Sequence, residues 1–242
     1  MNLTLTSSKA TTHFGSIVTT KTAALAGILG PVLFTLGTTL SDILNYPFLV
    51  ATANDPFTTS PVSVNALGPY GWIQMATFAT FGLLLLVFAA GLYRAVQADK
   101  WFTLSIGLLM MVGLAMVLLA APCDCEFKGQ APASTLAGTI HNLAFSLFML
   151  SQLGMYFFMW PYLRQDARWR GYDRYSLATC VLALPLFFGL MSLAPVFPWF
   201  YLWLLVVPLA WIEVVAIRLW AVSQPAEVRP TSVTDTPAKA IH

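Results

Sequence analysis

Residues 175–212 run for 38 positions without one charged side chain. As a single α-helix this run would be about 57 Å long at a 1.5 Å rise per residue. That is about twice the roughly 30 Å hydrocarbon core of a bilayer. Within it, LAPVFPWF (193–200) places two prolines three apart. Proline removes a backbone donor and clashes with the preceding turn, so the chain is predicted to fold back there. One charge-free run thus becomes two membrane-crossing helices, about 176–194 and 199–220.

The same criterion locates four more spans upstream. Charge-free windows predict helices at about 22–41, 71–93, 101–121 and 136–161, giving six in all. Only 9% of the 242 residues are charged, against about 25% in soluble domains. That is too few to coat a soluble globule. The expected fold class is therefore all-α, a polytopic membrane protein with six transmembrane helices over 22–221. Residues 1–21, rich in Ser and Thr and without a signal-like apolar core, are expected to form a cytosolic tail. Residues 222–242 are expected to form a disordered cytosolic tail.

Lys and Arg set the orientation, because cytoplasmic loops are enriched in them. With six spans, eleven of the twelve basic residues fall on one side: Lys9, Lys21, Arg94, Lys100, Arg164, Arg168, Arg170, Arg174, Arg218, Arg229 and Lys239. Lys128 is alone on the other. Both termini are expected in the cytoplasm, with the protein in the plasma (inner) membrane. Aromatic belts agree: Trp101, Trp160, Tyr162, Trp169 and Trp220 fall near the inner boundary, Tyr70, Trp72 and Trp199 near the outer one. The first outer loop, residues 42–70, is too apolar for a free linker. It is expected to lie on the membrane or fold back over the helix ends.

Reactive side chains gather in APCDCEFKGQAPASTLAGTIHNL (121–143), the connection from helix 3 into helix 4. Asp124 falls at the outer mouth, and His141 about 8 Å below the boundary, five residues into helix 4. An ionisable side chain at that depth is a functional candidate by default. A carboxylate on one imidazole nitrogen would make the other a base. The pair is equally suited to binding a polar group or to clamping the loop onto the helix. Thr135, Thr139, Asn142 and Ser146 recur at helical spacing and line a polar face of helix 4, with His141, Ser134 and Gln152 on its edge. Such residues also pack and glue membrane helices. Asp42, at the end of helix 1, is a candidate for the pocket rim.

Cys123 and Cys125 are expected as free thiols. A near-neighbour disulfide, a bond to a partner, or a metal set with His141 are the alternatives. Cys180 is too far away to join them. Glu213, inside the last helix, is read as neutral or paired with a basic residue such as Arg164. Gly27, Gly30 and Pro31 allow close packing and a kink in helix 1.

Three segments, GILGPVLF (27–34), APCD (121–124) and GTIHNLAF (138–145), together resemble the bacterial and archaeal membrane proteins grouped as domain-of-unknown-function family 998. The resemblance covers most of residues 23–220. It implies about six helices and a Pro-x-Asp followed by a Gly-x-x-His, here Pro122, Asp124, Gly138 and His141. The cysteines flanking Asp124 depart from that pattern, so no metal role carries over. The family has no settled activity, and the resemblance supplies no substrate.

The expected function is a polar, outward-facing pocket of helices 1, 3 and 4 around Asp124 and His141. Asp42, Thr139, Asn142 and Ser146 would help bind a small or lipid-like ligand. Alternatives are a membrane enzyme acting on a lipid or isoprenoid substrate, with Asp124 and His141 as acid and base, and a structural partner subunit of a membrane complex. Membrane lipids and a membrane protein are the expected partners. No cofactor, resident metal or nucleic acid is expected: no phosphate loop, Ser-His-Asp order or nucleic-acid module is present in the sequence.

Overall fold

The computed structural model describes residues 19–52, 61–95, 99–125, 133–193 and 200–223, with only the backbone described at 185–193 and 200–204. Among these residues the chain is all helical. Six long helices run in sequence: α1 (Thr20–Ala51), α2 (Gly71–Ala95), α3 (Lys100–Leu118), α4 (Leu136–Gln165), α5 (Tyr172–Leu193) and α6 (Phe200–Val222). Two short 3-10 helices, Val62–Leu67 and Ala167–Trp169, sit in the connections. Five of the long helices are long and apolar enough to cross a membrane by length and composition, α5 being the sixth long helix beside them. The tails and the proline segment at 194–199 lie outside the described residues.

Polar residues just ahead of each apolar run start the helices. Thr19, Asp99 and Thr135 cap α1, α3 and α4, each side-chain oxygen accepting an N–H from three residues on. Each helix packs on its neighbour in sequence, and α6 closes the ring against α1. Small residues permit the closest approaches. A Cβ on Gly27 would stand 2.6 Å from the Ala216 methyl, at the α1–α6 seam. One on Gly82 would stand 2.5 Å from the Gly113 carbonyl oxygen, so the α2 and α3 backbones nearly touch. The core is aromatic-rich, with Phe34, Phe88, Phe102, Tyr156 and Trp211 buried. The outward side of α1 is the reverse: Leu29, Val32, Leu36, Leu40 and Ile43 are 45–62% exposed. Such a stripe suits lipid rather than water.

Residues 19–21, Ala95, Arg168 and 222–223 line one hollow, so the described start and end of the chain meet at one end of the bundle. Lys21 and Arg168 stand there, and Asp124 stands at the opposite end, beyond α3. The described helices begin and end within a few residues of the windows read from sequence, except at one place. α1 does not stop at Ser41 but continues ten residues, through Asp42 and Pro47. The first 3-10 helix then folds back onto α1 and α2. The extension is held by a polar seam. Asn45, fully buried, donates to Ser41 Oγ (3.2 Å) and the Asn65 carbonyl (3.4 Å), and accepts from the Tyr70 amide (3.0 Å). Asn65 Nδ2 donates to Asp42 Oδ1 at 2.5 Å, and Gln74 Nε2 to Thr38 Oγ1 at 3.3 Å.

Candidate functional site

The connection from α3 to α4 is fastened by three short-range devices. Asp124 accepts the Thr135 amide on Oδ2 and the Thr135 hydroxyl on Oδ1, both at 2.7 Å. Thr135 Oγ1 in turn accepts the Gly138 N–H at 3.0 Å, capping α4. A Cβ on residue 138 would fall on the Asp124 carboxylate itself. Glycine at 138 is therefore a condition of the carboxylate's seat. The two donors from Thr135, backbone first, hold the Asp124 carboxyl below the usual carboxylate range, with His141 a small addition.

His141 is buried one turn below. Its Nδ1 lies 2.7 Å from the Ala121 carbonyl oxygen. A carbonyl can only accept, so Nδ1 carries the hydrogen and ties α4 to the end of α3. The Leu119 carbonyl also faces the ring. Asp124 and His141 thus share one corner without a hydrogen bond to each other. Each is bound to a different piece of the same loop.

Cys123 and Cys125 form a disulfide. The free thiols expected from sequence are replaced by a bonded pair, and sulfurs in that state cannot serve as thiolate ligands beside His141. Among the described residues no group of three or more His, Cys, Asp or Glu is placed to hold a metal ion. The pair leans on the first 3-10 helix: Cys123 Sγ is 3.6 Å from the Ser63 carbonyl oxygen, and Cys125 Sγ 3.9 Å from the Ser63 hydroxyl. Cys180 is buried in α5, free and remote from them.

Below this corner a cavity of about 250 Å³ runs into the ring of helices. Its mouth is Ser63, Cys123, Asp124, Cys125, His141 and Asn142. Its shaft is apolar, with Phe34 of α1, Phe81 of α2, Val112 and Met116 of α3, Phe148 of α4 and Leu209 and Ile212 of α6. Gln152, donating to the Tyr156 hydroxyl at 2.7 Å, forms a polar floor. The walls include α2 and α6 as well as the α1, α3 and α4 expected from sequence.

The family model described as "Protein of unknown function (DUF998)" matches residues 28–218. The chain belongs to the DUF998 family. No curated protein and no solved structure matches it. In this DUF998 chain the matched segment takes in the whole corner and most of all six helices.

The other candidates divide. Asn142 lines the cavity. Thr139 and Ser146 are exposed and spend their hydroxyls on carbonyls one turn back, Thr135 and Asn142. Asp42 faces Asn65 in the polar seam and does not line the cavity. Glu213 makes no ion pair with Arg164, and its Oε2 is buried without a partner among the described residues. Sequence reasoning missed Asn45, Asn65 and Gln74. The spacing of Thr38, Ser41, Asp42 and Asn45 on α1 is a helical polar stripe that signals them.

Proposed function

We propose that this DUF998 protein binds a small amphiphilic or lipid-like ligand in the cavity, with its mouth facing outward across the plasma membrane. The supporting observation is the distribution of polarity: an apolar shaft with polar groups confined to the mouth and the floor. Binding sites for such molecules are mostly apolar, with a few convergent polar groups. The ligand's apolar part lies along Phe81, Val112 and Phe148, and its polar end meets His141 and Asn142. Asp124 serves by positioning, since both its oxygens are committed to Thr135. That commitment disfavours the reading of Asp124 as the acid of an enzyme on a lipid or isoprenoid substrate. The outward orientation, six spans and cytoplasmic termini rest on the eleven-to-one split of basic residues.

The test fills the shaft. A fluorescent single-chain amphiphile is titrated into the purified protein and into Val112→Trp, with melting followed in parallel. The expected result is at least about tenfold weaker binding, the equivalent of roughly 1.4 kcal/mol, with melting little changed. Equal binding by the two folded proteins overturns the reading. Copurification of a second membrane protein together with that result would favour the partner-subunit role.

A further inference from the structure

RQDARWRGYDR (164–174) packs four arginines into eleven residues at the end of the bundle opposite the cavity mouth. The backbone curls there in a defined way. α4 ends at Gln165, and Asp166 caps the second 3-10 helix by accepting the Arg168 N–H at 2.9 Å. Gly171 then takes φ +89°, a left-handed conformation that favours glycine, and α5 begins at Tyr172. Trp169, buried and edge-on to Tyr172, pins the curl to the bundle.

The four guanidinium groups have different fates. Arg168 pairs with Asp166 at 2.7 Å, and its carbonyl accepts from Arg218. Arg164, Arg170 and Arg174 are exposed and make no hydrogen bond or ion pair among the described residues. All three line one hollow of about 530 Å³, together with Gln165, Gly171 and Asp173. The Asp166 carboxylate is already neutralised by Arg168, and Asp173 offsets one of the three remaining arginines, so the hollow is still net positive. The first amides of α5, which have no intrahelical partner, open beside it.

We propose that this hollow binds a phosphate-class anion, supplied as the phosphodiester headgroup of an anionic phospholipid. Guanidinium forks match phosphate oxygens two at a time, which a point charge does not. Trp160 and Tyr175, both partly exposed in the helices that flank the curl, are rings that favour the headgroup depth of a bilayer. Eleven of the twelve basic residues fall on this side by the six-span reading, and the cytoplasmic leaflet carries the negative surface potential. The site is independent of the cavity and of what the cavity holds.

The experiment uses the full chain in neutral detergent, melted with added phosphatidylglycerol, phosphatidylcholine or inorganic phosphate. Arg170→Gln/Arg174→Gln is compared with Lys21→Gln/Lys100→Gln, which removes equal charge from the same end outside the hollow. Phosphatidylglycerol is expected to raise the melting temperature above phosphatidylcholine in the wild type and the lysine variant. The arginine variant is expected to need about tenfold more of it for the same rise. A response to inorganic phosphate equal to that of the lipid would keep the anion site and identify free phosphate as its source. An unchanged lipid response in the arginine variant, or an equal loss in the lysine variant, overturns the proposal.

Discussion

At the scale of single residues, Asp124 acts as a fastener. It gathers an amide and a hydroxyl from Thr135 and leans on the bare face of Gly138. These donors favour the charged form, so its folded pKa lies below the unfolded one. A group of that kind stabilises the fold above the unfolded carboxyl value, near 3.9, and loses the effect as pH falls through the lower folded value. Asp166 has the same sign, held down mainly by Arg168, so the Asp124 share must be isolated. The melting difference between wild type and Asp124→Asn is expected to be full above about pH 4 and to shrink on further acidification. Melting curves over a pH series check this, and a difference constant with pH contradicts it. That Asp124 and His141 stand at one corner, where α3 connects to α4, was legible from their setting in a greasy chain and from the family motif. Their partners were not. Thr135 and the Ala121 carbonyl depend on the path of a connecting loop, which no periodicity encodes. The pairing of Cys123 with Cys125 was not legible either, since a separation of two carries no three-dimensional signal.

At the scale of elements, the charge-free windows lie close to five of the described helices, because a bilayer core demands about 20 uncharged residues of any helix that crosses it. The end of α1 escaped for a physical reason. Asp42 and Pro47 look like stop signals, yet Asn65 bonds Asp42 and the helix continues past the proline. The stripe from Thr38 to Asn45 then ties α1 to the first 3-10 helix and the head of α2. Asn45→Ala removes three hydrogen bonds at a fully buried position, to Ser41 Oγ, the Asn65 carbonyl and the Tyr70 amide. A loss of about 1–3 kcal/mol is expected, measured by denaturation in detergent. A loss near zero would mean that the seam is not what holds the first connection over the bundle.

For the molecule as a whole, the ring of helices places its described ends together, around an apolar core and with an apolar stripe of α1 facing outward. The overall class was readable because charge depletion leaves so few alternatives, whereas the walls that α2 and α6 add to the expected pocket of α1, α3 and α4 were not, since they arise from how five helices and a loop meet. The orientation is testable directly. A cysteine at Thr59, in a chain with its three native cysteines replaced, is expected to react with an impermeant maleimide on intact cells. One at Gln224 is expected to react only after lysis. The reverse pattern would invert the protein in the membrane.

The cavity has a floor. Below Gln152 and Tyr156, the Ser105 hydroxyl donates to the Met155 carbonyl at 2.9 Å, Trp211 Nε1 to the Ser176 hydroxyl at 2.9 Å, and Phe102 packs on Tyr162. On the proposed reading, a cavity packed in this way beneath its floor holds a ligand rather than passing it through. A ligand that entered by the mouth would leave toward it, and a second would wait for the first to depart. Its traffic would follow the off-rate of the occupant, indifferent to any voltage or gradient between the two sides of the membrane.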